Sequence, residues 1–200
     1  MKVAGLLLAG GLSRRMGGGD KMLAEVAGVT LLERVIARAR PQVAALALNV
    51  NGDPGRVAAS GLPVVADGIP GNPGPLAGIL CGLEWVRDTL PGIEWMASFA
   101  TDTPLFPEDL VTRLAAAVTA ADAEIGCPRS EGRDHPVFAL WPVRLAAALR
   151  RALVDEELRK VGAFLARHRV ARVDWPGGEA DPFVNVNTPE DLARLRRRLG

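Results

Sequence analysis

Apolar residues fall along this chain in short unbroken runs, separated by stretches of helical spacing. Val3 to Ala9 is one such run, closed by glycines, the pattern of a strand buried on both faces of a sheet. Similar runs predict strands over 44–50, 62–66, 95–100, 124–127, 137–141 and 170–175, and a short extended piece over 22–27. Leu31, Leu32, Val35, Ile36 and Ala39 share one helical face, opened by a capping box of Thr30 and Glu33 and stopped at Pro41. Helical spacing recurs over 76–87, 107–121, 143–154 and 158–167, and Thr188-Pro189 opens a last helix with proline at its first position. This alternation predicts an α/β fold with a mostly parallel central sheet and helices on both faces. In such sheets ligands gather beyond the carboxyl ends of the strands. The glycine-rich stretch 10–21, Asp67 and Asp102 each follow a predicted strand directly, so the topology brings them to one edge. No repeat or linker interrupts the pattern, and residues 1–200 are expected to form one domain, with a peripheral hairpin beginning within 129–134.

Composition narrows the function. Hydrophobic residues make up 48% of the chain and charged residues 24%, which excludes a disordered or collagen-like chain. Lys and Arg number 24 against 23 Asp and Glu, so a net charge of +1 sets up no broad field. Neither nucleic acid nor a membrane surface is an expected partner, and any phosphate must be bound locally. Cys81 and Cys127 form no CxxC pair, so a reducing, cytoplasmic setting is expected, with no disulfide or zinc framework. The uncharged run from Val3 to Gly10 is too short for a membrane span.

Lysine occurs only at positions 2, 21 and 160, which sets Lys21 apart at the end of the glycine-rich stretch. Glycines there would let backbone N–H groups approach a polyphosphate, with Arg15 and Lys21 neutralising its charge. The stretch lacks both the G-x-x-x-x-G-K-[ST] and the G-x-G-x-x-G signatures, and the same composition suits a plain flexible connection. Asp102, at a strand end, can hold Mg²⁺ against phosphate oxygens or cap a turn. Asp67 before Gly68 reads by itself as turn-forming, since Asp-Gly is an ordinary turn pair. In Phe183-Val184-Asn185-Val186-Asn187-Thr188 the two amides would share one face of an extended segment, reaching a phosphate or a metal-bound water, or fixing the turn before the last helix. With His135 and His168 as the only histidines, a histidine metal cluster is not expected. Arg194 to Arg198 suits a solvated helix end that complements the dipole.

Five segments, LAGGLSRRMGGGDKML at the start, PGPLAGI at 73–79, TDTP at 101–104, DHPVFAL at 134–140 and FVNVNTPEDL at 183–192, together resemble the molybdenum cofactor guanylyltransferases almost end to end. The resemblance implies a Rossmann-like nucleotidyltransferase fold and the joining of GMP from GTP to Mo-molybdopterin, with release of pyrophosphate. It implies GTP contacts at Leu8, Ala9, Gly10, Lys21, Asn49, Asp67 and Asp102, with Asp102 also the Mg²⁺ ligand. Arg15, Lys21 and Asp102 would carry the catalysis, and Asn185 and Asn187 would edge the molybdopterin side or the water shell of the metal. Arg15 and Arg133 are the candidates for a local basic pocket that meets molybdopterin. The implied pathway also leaves room for molybdoenzyme-specific chaperones as partners. A cytidylyltransferase of the same cofactor or a sugar-phosphate nucleotidyltransferase is the nearest alternative, and LAGG rather than LAAG at the first turn favours the guanylyl branch. A non-catalytic nucleotide sensor or cofactor-delivery chaperone is the alternative from another class, and the presence of Lys21 and Asp102 argues against it.

Overall fold

Six consecutive buried residues, Val3–Leu8, form strand β1 near the middle of the sheet, because a strand covered on both faces needs apolar side chains at every position. The computed structural model describes residues 1–9, 21–50, 52–66, 68–69 and 74–199. β1 pairs in parallel with β4 (Ala45–Asn49) on one side and β6 (Trp95–Ala100) on the other. The path of the main sheet is completed by β5 (Val64–Val65), β7 (Ile125–Ser130), β9 (Leu140–Pro142) and β10 (Val170–Trp175), giving the order β10-β7-β9-β6-β1-β4-β5. Within that order only β9 runs antiparallel to its neighbours, and a two-residue strand, β8 (Arg133–Asp134), folds back on β7. The mostly parallel α/β expectation is borne out.

Alternation along β1 divides the core into two layers. Val3 and Leu7 pack with α1 (Leu31–Ala39) and α3 (Leu110–Ala120), through Leu32, Val35, Leu110 and Leu114. Ala4, Leu6 and Leu8 point the other way, toward α2 (Pro75–Thr89), α4 (Ala146–Val154) and α5 (Val161–Leu165), meeting Leu76, Ile79, Leu80 and Leu83. Helices therefore cover both faces, and each fully buried leucine stabilises by ~1.5–3 kcal/mol. The last helix, α6 (Pro189–Leu199), lies apart from both layers. Its Leu195 joins Val26, Leu31 and Val186 in a small third cluster.

Departures from the sequence pattern have local causes. Instead of one extended piece over 22–27, a 3₁₀ turn at Lys21–Leu23 leads into a hairpin of β2 (Glu25–Val26) and β3 (Val29–Thr30), whose two-residue turn puts Ala27 and Gly28 at φ 51° and 73°. The strand expected over 137–141 starts late because Pro136 opens a 3₁₀ turn at Pro136–Phe138. Helix α5 is shorter than 158–167, since the chain leaves α4 through Glu157 at φ 51° and Leu158 donates its N–H back to Ala152. Among the described residues no helix is long and apolar enough to cross a membrane.

Candidate active site

The ends of β1 and β6 are knitted together before any polar chemistry begins. Buried Thr101 donates its N–H and its hydroxyl to the Leu8 carbonyl, at 3.4 and 3.3 Å, and Ala9 donates its N–H to the Asn49 carbonyl at 2.9 Å. Asp102 follows at once, so its carboxylate is presented at the carboxyl edge of the sheet. There it meets residues from both ends of the chain. Lys21 Nζ donates to Asp102 Oδ2 at 3.0 Å and to Asn187 Oδ1 at 2.5 Å. The Lys21 side chain is 16% exposed and that of Asp102 30% exposed, so the pair sits in a half-sheltered position where charge is less screened than at an open surface.

The neighbouring bonds hold this cluster in place. Val186 donates its N–H to the Asp102 carbonyl at 2.7 Å, fastening the 183–187 segment alongside the turn after β6. Thr103, fully buried, brings its hydroxyl to 2.7 Å from Asn185 Oδ1 and 3.2 Å from Asp102 Oδ1. Asp191 Oδ2 accepts from the N–H groups of Asn187 and Thr188, both at 3.0 Å, while Thr188 Oγ1 accepts from the Asp191 N–H. This reciprocal cap opens α6, and the Asn187 N–H bond is the main cause that lowers the Asp191 carboxyl below its usual range. Of these, Thr103 and Asp191 were not singled out from the sequence, although the Thr188-to-Asp191 spacing was a legible capping signal.

Leu8, Ala9, Lys21, Asn49, Asp102, Asn185 and Asn187 all lie at this edge of the sheet. Asn49 is 2% exposed and donates from Nδ2 to the Val65 carbonyl at 3.0 Å, so its side chain also ties β4 to β5. Gly10, Arg15 and Asp67 lie outside the described residues. Arg133 sits exposed on β8.

Farther along the same edge, at the end of β7, lies a polar group that sequence reasoning missed. Buried Ser130 places its hydroxyl 2.6 Å from His135 Nε2 and 3.0 Å from Asp181 Oδ2. The His135 ring stacks on Phe183 with centroids 4.5 Å apart, and burial pushes its pKa below the ordinary histidine value. Asp181 Oδ1 also accepts the Phe183 N–H at 2.8 Å. Next to it, Arg129 and Arg172 clamp Asp134 at 2.9 and 3.0 Å. Cys127 is buried and its thiol is pushed up to about 12 by desolvation, which makes it a packing residue and not a nucleophile.

The oxygen donors at Asp102 suit a hard divalent cation. The Asp102 carboxylate is linked to the Asn187 amide oxygen through the Lys21 ammonium and to that of Asn185 through the Thr103 hydroxyl, and Mg²⁺ typically takes one or two carboxylates, completing its shell with water and phosphate. Among the described residues no group of three or more His, Cys, Asp or Glu forms a softer or all-protein cage.

Comparison with known proteins agrees with this architecture. The family model of the MobA-like NTP transferase domain matches residues 5–172. A Bradyrhizobium sp. (strain ORS 278) protein named molybdenum cofactor guanylyltransferase is 56% identical, over 98% of this chain and 92% of its own length. A Rhodopseudomonas palustris (strain BisB5) protein of the same name is 55% identical, over 96% and 91%. Among solved structures, the molybdopterin-guanine dinucleotide biosynthesis protein A of Archaeoglobus fulgidus superposes with a TM-score of 0.75 at 24% identity, covering 100% of this chain and 98% of that one. A Mycobacterium tuberculosis H37Rv protein in complex with manganese shares the fold at a TM-score of 0.71 and 20% identity, covering 98% and 99%. With the match running from within β1 to the first half of β10, and the relatives aligned nearly end to end, the chain belongs to the MobA-like NTP transferases as a nucleotidyltransferase of the molybdenum cofactor guanylyltransferase family.

Proposed function

We propose that this protein transfers GMP from GTP to Mo-molybdopterin, forming the guanine dinucleotide form of the cofactor and pyrophosphate. The observation that carries the reading is the Lys21 ammonium bridging Asp102 and Asn187 at the carboxyl edge of the sheet, in a chain whose relatives bear that name. GTP would lie over the ends of β1, β4 and β5, with Leu8, Ala9 and Gly10 along its phosphates, and Asn49 and Asp67 toward the nucleoside. Molybdopterin would approach from the Asn185 and Asn187 side. Its terminal phosphate oxygen forms a bond to the α-phosphorus of GTP as the bond to the pyrophosphate oxygen breaks, in line. A general base is unnecessary, because a phosphate monoester is largely ionised near neutral pH, with a second pKa of ~6. The work left to the protein is positioning and electrostatics: Lys21 and Arg15 stabilise negative charge on the departing pyrophosphate, and the Asn185–Thr103 bond fixes the acceptor side. Asp102, with Asn185 and Asn187, would hold Mg²⁺, which supplies charge neutralisation on the phosphate oxygens. The setting is cytoplasmic, with product hand-over to molybdoenzyme-specific chaperones.

The test is pyrophosphate release from GTP, CTP, ATP and UTP with Mg²⁺, in the presence and absence of molybdopterin carrying molybdate. Release that requires molybdopterin and prefers GTP is the expected result. Preference for CTP would transfer the protein to the cytidylyl branch, and binding without release would make it a sensor.

A further inference from the structure

We propose that Lys21 is the resident cation of the Asp102 and Asn187 oxygens in the nucleotide-free protein, excluding a divalent ion until a polyphosphate draws the ammonium away. The inference builds on the reading of Asp102 as a metal ligand and adds to it an order of events: the metal binds tightly only together with the nucleotide.

The geometry leads there directly. The Lys21 ammonium has two of its N–H donors on Asp102 Oδ2 and Asn187 Oδ1, which are oxygens a hard cation at this place would use. An ammonium at 3.0 Å from Oδ2 therefore competes for the ligand atoms themselves, as well as repelling a second positive charge. Asp102 brings one negative charge, Lys21 already balances it, and the other two oxygens are neutral amides. A divalent ion entering beside the bound ammonium would leave the cluster with two uncompensated positive charges in a half-sheltered position. A nucleoside triphosphate reverses this balance. Its phosphates supply enough negative charge for the ammonium and the metal to be held together, each on different oxygens.

Lys21 is placed for such an exchange. The adjoining Met22 is buried in the core layer under α1, and the Ala24 N–H closes on the Lys21 carbonyl at 3.1 Å, so the backbone at Lys21 is anchored. The four-carbon stem extends from that anchor to the two oxygens, and lysine binds as a mobile point charge where arginine would clamp as a rigid fork. The Asn187 backbone is held in turn by Asp191 through its N–H, so the residue stays at the edge of the sheet when the ammonium leaves.

Mn²⁺ binding to the full chain tests this without substrate turnover, by the loss of the free-ion electron paramagnetic resonance signal. The nucleotide-free wild type is expected to bind Mn²⁺ weakly. Lys21→Met should tighten that binding by about 10-fold or more, the size of effect when one opposed charge is removed at close range. Lys21→Arg, which keeps the charge, should remain weak, and the gain in Lys21→Met should disappear when Asp102→Asn is added. A GTP analogue with a non-cleavable α,β-methylene bridge should raise Mn²⁺ affinity more in the wild type than in Lys21→Met, because only the wild type has an ammonium to displace. Thermal melts confirm folding, and Lys21→Gln serves as the second neutral variant if Lys21→Met does not fold. If the neutral variants bind Mn²⁺ as weakly as the wild type while Asp102→Asn abolishes binding, the exchange is overturned and the metal assignment stands. If Asp102→Asn leaves Mn²⁺ binding unchanged in every background, both fall.

Discussion

At the scale of single residues the site depends on charges that face one another across long sequence separations. Lys21→Ala and Asp102→Ala should each lower turnover by about 10²-fold or more, the scale of losing one preorganised charge, measured as pyrophosphate release under saturating GTP. His135 makes a different prediction. Burial depresses its folded pKa below the 6.5 of an exposed histidine, with Arg133 acting in the same direction and Asp181 and Asp134 opposing. The native state then binds fewer protons than the unfolded chain between that depressed value and 6.5, so stability rises with pH through this window. The contribution is complete above about 6.5 and is lost as pH falls through the folded pKa. Urea melts at pH 7.5 and 5.0 should show a larger loss for the wild type than for His135→Gln, which has no such proton to bind. The lowered carboxyls of Asp134 and Asp191 act only at more acidic pH, because their ordinary value is 3.8, so the two effects separate. Lys21, Asp102, Asn185 and Asn187 were legible because each carries chemistry in a place where the pattern calls for a loop. That Lys21 would pair directly with Asp102, and that Ser130 would sit between His135 and Asp181, was not legible, since no period or motif records contacts between distant segments.

At the scale of elements, α2 shows how packing reaches the site. A Cβ at Gly82 would run into Leu6 Cδ2 and lie 2.6 Å from Met96 Sδ, while one at Gly78 would lie 2.5 Å from Asn49 Oδ1 and 2.7 Å from Leu8 Cδ2. The two glycines, one turn apart, let the helix close down on the sheet. Gly82→Ala should therefore destabilise by about 1–3 kcal/mol through overpacking, outweighing the better helix propensity of alanine, which is worth ~1 kcal/mol. Thermal denaturation would read the loss, with the KM for GTP little changed. Gly78→Ala presses on the Asn49 amide instead and should raise that KM. Strands β6 and β10 run over the residues expected from sequence because each is a clean apolar or alternating run. The β2–β3 hairpin was hidden because its turn uses Ala27 at a positive φ, without the Asn-Gly signal that marks such turns. Gly78 was visible in PGPLAGI, but what it and Gly82 do, close approach to Asn49 and to Leu6, belongs to tertiary packing.

At the scale of the whole molecule, the chain closes its site only when its two ends meet. Lys21 follows the first strand, Asp102 the sixth, and Asn185 and Asn187 precede the last helix. The two large core layers hold the sheet, but neither contains α6. The connection is the small cluster in which Leu195 of α6 packs with Val186, Val26 of β2 and Leu31 of α1, reinforced by Arg196 donating to the Glu25 carbonyl at 3.1 Å. This cluster fastens the segment carrying both asparagines to the hairpin that follows Lys21. Leu195→Ala removes its central side chain while leaving the main layers intact. It should cost about 2–3 kcal/mol, the lower part of the range for a buried leucine because α6 can settle toward the gap. The loss falls on one connection, so loosening should be local: hydrogen exchange should rise over 183–199 before the sheet strands are affected. Activity should then decline at temperatures where the sheet is still folded, separating the inactivation curve from the global melt. Coincident loss of activity and sheet structure in Leu195→Ala would show that α6 and the sheet unfold as one unit, and that the asparagine segment has no independent hold on the site.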